Sequence, residues 1–115
     1  MKKSLLLFTY VLLFSSLIIA QKDDTSIPDY FSLKQNYPNP FNPSTIISWQ
    51  LFTDSKINIK VFNVLGNEIA TIVNEELPAG NYDVKFDASN LPSGIYFYKL
   101  TANQFSETKK MTLIK

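Results

Sequence analysis

The stretch KINIKVFNVLGNEIATIV, residues 56–73, decides the fold. Ile57, Ile59 and Val61 alternate with Asn58, Lys60 and Phe62, a period of two that separates an apolar side of an extended chain from a polar-enriched one. A helix would need apolar residues at i, i+3 and i+4 sustained over successive turns without a break, and no window from Phe31 onward has that. Leu65-Gly66-Asn67-Glu68 then sets Gly66 and Asn67, the residue types most tolerant of positive φ, between two apolar runs. The spacing predicts two antiparallel strands over 56–64 and 68–73, joined by a tight hairpin.

The same alternation recurs on both sides. Tyr82, Val84 and Phe86 alternate with Asp83, Lys85 and Asp87, and further strands are predicted over 31–35, 45–51, 81–87, 95–102 and 105–114. About seven short strands separated by turn residues predict an all-β chain folded as an antiparallel sandwich. Leu77-Pro78-Ala79-Gly80 and Leu91-Pro92-Ser93-Gly94 share one turn chemistry, with proline where φ is preset and glycine where the chain reverses. The strands that follow them differ, so the likeness is repeated turn chemistry and not a duplicated unit.

Residues 35–44, QNYPNPFNPS, carry Pro38, Pro40 and Pro43, which lack backbone donors and cannot sit in a central strand. This segment is expected to run along the sandwich as a stiff extended lead-in, with Tyr37 and Phe41 packing down on it.

Ahead of the sandwich, MKKSLLLFTYVLLFSSLIIA reads as a signal-peptide helix over residues 1–20: Lys2 and Lys3, an apolar run from Leu5, and small Ala20 before Gln21 at the cleavage point. Bulky Ile18 at the minus-three position marks the cut less sharply than the run marks the leader. A membrane anchor needs about 20 consecutive apolar residues, and Thr9, Tyr10, Ser15 and Ser16 interrupt this one. No stable span is expected after cleavage. Residues 21–30, QKDDTSIPDY, have a linker's composition, which leaves 31–115 as the folded domain.

Charge and composition narrow the function. The chain has 11 lysines and no arginine against 10 acids, and losing Lys2 and Lys3 with the leader leaves nine against ten. Nothing draws such a chain to nucleic acid. His and Cys are absent, which removes the usual nucleophile and base pairings, the preferred zinc ligands, a lipoprotein anchor and any disulfide. Asp83 and Asp87 share one face of a strand, but they lie roughly 13 Å apart along it, beyond the ~5–9.5 Å of glycosidase pairs. Asp23, Asp24 and Asp29 do not match a calcium loop, and Gly66, Gly80 and Gly94 each stand alone instead of forming a phosphate loop. No catalytic residue, metal or cofactor is expected. Trp49, Tyr96, Phe97 and Tyr98 read as core and cross-strand packing before glycan stacking. Phe62 and Phe97 face off the main apolar stripe, which leaves one exposed aromatic patch open.

Four ordered motifs now stand together: QNYPNPFNPSTIISWQL, KINIKVFNVLGNEIATIV, LPAGNYDVKFDASNLPSGIYFYKL and the terminal KKMTLIK. The pattern closely resembles the type IX secretion system type A sorting domain over residues 31–115. The resemblance implies an immunoglobulin-like sandwich at the C-terminus of a cargo, directing passage across the outer membrane after a signal peptide has used the general export machinery. It implies as partners an outer-membrane shuttle and a sorting peptidase that cuts near the linker, and a secreted or cell-surface destination reached through the periplasm. The family's features fall on Pro38, Asn39, Pro40, Phe41, Asn42 and Pro43, on Gly66, on Gly94 and Tyr96, and on Lys109, Lys110 and Lys115. The last strand is the segment most associated with recognition, its lysines flanking Met111, Leu113 and Ile114 as an edge with positive charge. Family members normally carry cargo where this chain has only residues 21–30. A small secreted protein, the remnant of a larger one, and a stand-alone Ig-like binding module for a surface glycan or protein are the readings that follow.

Overall fold

A computed structural model describes residues 30–115. The leader, the cleavage point at Ala20 and Gln21, and residues 21–29 of the linker lie outside the described residues. Seven strands form: β1 (Phe31–Leu33), β2 (Ser44–Leu51), β3 (Ser55–Phe62), β4 (Glu68–Leu77), β5 (Gly80–Asp87), β6 (Gly94–Ala102) and β7 (Phe105–Leu113). They make a three-stranded sheet, β1-β2-β5, and a four-stranded sheet, β4-β3-β6-β7. All pairings between these strands are antiparallel, and the fold is the immunoglobulin-like sandwich.

The alternation that predicts the strands also builds the core. Ile47, Trp49 and Leu51 of β2 face Ile57, Ile59 and Val61 of β3, Tyr96, Tyr98 and Leu100 of β6, and Met111 and Leu113 of β7 in one buried cluster. Each fully buried side chain of this kind contributes roughly 1.5–3 kcal/mol, which is how a domain without disulfides holds together. Tyr30, read as the last linker residue, is docked: its ring stacks on Phe105 at 4.7 Å, and its carbonyl accepts from Phe52 N at 3.0 Å.

Several boundaries differ from the sequence reading. β4 continues to Leu77, past the predicted end at Val73, so Glu75 and Glu76 pair with Ile57 and Lys56. Polar residues interrupt the apolar pattern there, yet β4 is a sheet edge, where charge is tolerated. β1 stops at Leu33 and β3 at Phe62. The predicted β3–β4 hairpin forms, but Asn63, read as a strand residue, organises it. Its side-chain Oδ1 accepts from Leu65 N and Asn67 N, both at 3.0 Å. Gly66 sits there at φ 83° with open space around the position of a Cβ. Gly66→Ala is therefore expected to lower stability by the backbone term alone, about 1–2 kcal/mol, read as a lower urea midpoint with an unchanged slope.

The two Leu-Pro-x-Gly turns are extended by a component the sequence reading passed over. Tyr82 donates its hydroxyl to Pro78 O at 2.5 Å, and Tyr96 donates to Pro92 O at 2.6 Å, each four residues back. The signal is legible as LPAGNY and LPSGIY, with tyrosine two residues after glycine. Each hydroxyl ties the strand to its own turn, in the manner of a tyrosine corner.

Candidate functional site

β7 is an edge strand, bonded to β6 on one side only. Its register pairs Gly94 with Leu113 and Tyr96 with Met111, so two of the predicted residues support the tail directly. The outer side of β7 is where the proline-rich lead-in arrives. Phe41 N donates to Thr112 O at 2.9 Å, and Ile114 N donates to Phe41 O at 3.1 Å. Asn39 Oδ1 accepts from Thr112 N at 3.0 Å, and Gln35 Nε2 donates to Lys110 O at 2.7 Å. The lead-in thus clasps the end of the terminal strand. These bonds also show that the even-numbered residues of β7 present their backbone groups outward. Ser106 and Thr108 with both groups, and Lys110 with its N–H, have no partner there among the described residues.

The clasp is held from beneath by a buried polar network. Phe41 is 2% exposed, with its ring edge-on to Phe86 at 6.4 Å. Asn36, also 2% exposed, donates through Nδ2 to Thr45 Oγ1 at 3.0 Å and to Pro38 O at 3.1 Å. Thr45 Oγ1 donates to Pro38 O at 2.9 Å, and Pro43 O accepts from Ala88 N at 2.9 Å. Tyr98 joins the lead-in to the four-stranded sheet: its hydroxyl accepts from Asn36 N at 2.8 Å and donates to Lys34 O at 2.7 Å. Burial pushes that phenol up to about 12, outweighing the opposing effect of the bond from Asn36. The peptide bonds preceding Pro38, Pro40 and Pro43 are all cis.

The predicted residues are therefore partly brought together. Pro38, Asn39, Phe41 and Pro43 take part in the clasp or its support, whereas Pro40 and Asn42 are exposed between them. Tyr37, expected to pack down, is 80% exposed because its backbone pairs with Ile46 and turns its ring outward. Gly66 lies apart, in a hairpin whose Val64 and Leu65 border a shallow cleft of ≈ 340 Å³ along Leu91–Tyr96.

The three lysines expected to add positive charge to this edge point in different directions. Consecutive strand residues face opposite sides. Lys109 pairs with Glu107 at 3.6 Å on one side, while Lys110 is exposed on the other. Lys115 folds back, donating Nζ to Ser89 O at 2.6 Å. Phe62 and Phe97, between which the sequence left an exposed aromatic patch open, are half-buried register partners across β3 and β6. Asn36, Thr45 and Tyr98 were not singled out for this site by sequence, since a buried asparagine and an exposed one read alike.

A search of curated proteins finds none that matches the chain. The family described as the secretion system C-terminal sorting domain matches residues 35–115, most of the 115-residue chain and a span that holds both the clasp and the tail it closes on. The chain belongs to that family, whose role is C-terminal sorting for type IX secretion.

Proposed function

We propose that the chain is a non-catalytic address module whose terminal strand is read along its uncovered half. In this reading residues 1–20 take the chain into the periplasm by the general export machinery. An outer-membrane shuttle of the type IX system then pairs with β7 from Ser106 to Lys110, and the sorting peptidase cuts within residues 21–30 on the way to the surface or the medium. The observation that carries the reading is the contrast along one edge. The clasp satisfies the backbone of Thr112 and Ile114, whereas Ser106, Thr108 and the N–H of Lys110 remain available for strand addition. Exposed Lys110 would add one charge beside that open segment.

Deleting the tail is a poor test, because it removes Met111 and Leu113 from the core together with the edge. Thr108→Pro is a better one. The Thr108 N–H faces outward, so proline removes a donor that a partner would use and no bond inside the sandwich. With a reporter inserted between residues 21 and 30 of the full chain, surface delivery by a type IX host is expected to fall roughly fivefold, the worth of one hydrogen bond of about 1 kcal/mol. Thermal unfolding should be unchanged. Equal delivery of the variant and the parent would reject recognition through this edge.

A further inference from the structure

The opposite margin of the sandwich carries a second open edge, on β5, which the sorting reading does not use. Backbone bonds fix its orientation. Lys34 N donates to Ser48 O, Phe52 N to Tyr30 O, and Ile46 exchanges bonds with Tyr37, so the even-numbered residues of β2 bond toward β1 and the lead-in. The odd-numbered ones must then bond toward β5. The register pairs Ile47 with Val84 and Trp49 with Tyr82, so Tyr82, Val84 and Phe86 bond inward. Asn81, Asp83, Lys85 and Asp87 consequently direct their backbone groups to the open edge.

Among the edges of the two sheets, β5 is the one that is regular, unclasped and longer than three residues. β1 spans three residues, the end of β7 is clasped, and β4 pairs through two register shifts. β5 pairs with β2 over eight consecutive residues without a bulge. Tyr82 and Val84 are only half-buried, although their side chains face the core. An edge of this kind is a template for another strand.

We infer that β5 is a self-association edge whose occupant is the β5 of a second copy, paired antiparallel about a two-fold axis at Val84. Charge and ladder length together select this register: centring on Phe86 also opposes Lys85 to Asp87, but it carries Asp83 past the end of the strand, opposite Ser89. Centring on Val84 sets Asp83 opposite Lys85 of the second copy, twice by symmetry, and Asn81 opposite Asp87. It places Tyr82 beside Phe86 and Val84 beside Val84 on the core side. All the outward-facing residues then pair with outward-facing residues, as an antiparallel ladder requires. Moving the centre to Asp83 opposes Asp83 to itself, and moving it to Lys85 opposes Lys85 to itself and Asp83 to Asp87; both juxtapose like charges. Neither Asp83 nor Lys85 has an ion-pair partner within the chain among the described residues. The two three-stranded sheets become one continuous six-stranded sheet, an isologous contact of the weak, reversible class.

The test is sedimentation of the full chain, exported and recovered, across a concentration series. A monomer–dimer equilibrium is expected. Asp83→Lys and Lys85→Asp should each weaken it roughly tenfold or more, since each converts two attractive cross-strand pairs into repulsive ones. The double exchange, Asp83→Lys with Lys85→Asp, should restore it by reversing both signs. Lys85→Pro, which removes an outward N–H and no internal bond, should give monomer with unchanged circular dichroism. A parent chain that stays monomeric to about 1 mM, or a dimer indifferent to Asp83→Lys, or a double exchange that fails to recover, overturns the proposal. Surface delivery by these variants reports separately on sorting, which uses the other edge.

Discussion

Tyr98→Phe is expected to destabilise the domain by about 2–4 kcal/mol, far more than the loss of one hydroxyl usually costs. The ring would still fill its place among Leu100, Val61 and Met111, so no cavity forms. What changes is the polar network. Asn36 N loses its acceptor and Lys34 O its donor, and the Asn36 N–H is buried where water cannot replace the partner. Against a total of about 5–15 kcal/mol for a domain of this kind, the variant should show a clearly lower urea midpoint with an unchanged slope. Tyr96→Phe is the matched control, since that hydroxyl has a single partner, Pro92 O, within its own turn. Equal midpoints for the two variants would contradict the role assigned to Tyr98.

The same residue carries a pH signature. Its hydroxyl is held at about 12 in the native protein against an ordinary 10.0. Between those values the unfolded chain has lost a proton that the native state keeps, so the native state binds more protons and stability falls as pH rises. The contribution is fully present below pH 10 and is lost progressively as the pH climbs through that window. Tyr98→Phe should remove this component of the slope, measured as the urea midpoint from pH 8 to pH 12.

Phe41→Ala is expected to cost about 3–5 kcal/mol, the range for emptying a buried aromatic site. Here the loss has a directional consequence. Phe41 binds the tail through its backbone, and its side chain is the weight that holds this backbone in place against Phe86. Without it, the amides of Thr112 and Ile114 should exchange with solvent much faster than those of Met111 and Leu113, which bond to β6. Asn39→Ala separates the two contributions, because it removes only the acceptor for Thr112 N and should cost about 1 kcal/mol. Hydrogen exchange that leaves Thr112 and Ile114 protected in Phe41→Ala would show that the lead-in does not hold the tail.

Much of the sandwich was legible because its signals are local. The alternations of 57–61 and 82–86, the Gly66 hairpin and the paired Leu-Pro-x-Gly turns each occupy a few consecutive residues, and each appeared where it was read. The terminal lysines show the limit. The sequence sets them beside Met111, Leu113 and Ile114 as an edge with positive charge, but only strand geometry puts Lys109 and Lys110 on opposite sides, and a contact with Ser89 O draws Lys115 away. Glu75 and Glu76 fell outside the predicted strand 68–73 because polarity looks the same in a loop and on an edge strand.

The sequence by itself determined the all-β character, the order of the strands and the side of each that is buried, because a period of two is written in neighbouring side chains. Only the tertiary structure decided which strands lie at the margins and that the proline-rich lead-in closes on a tail 73 residues away. On the tail's side those contacts are all made by backbone N–H and C=O groups, which nearly every residue carries, so no side chain of the tail announces them.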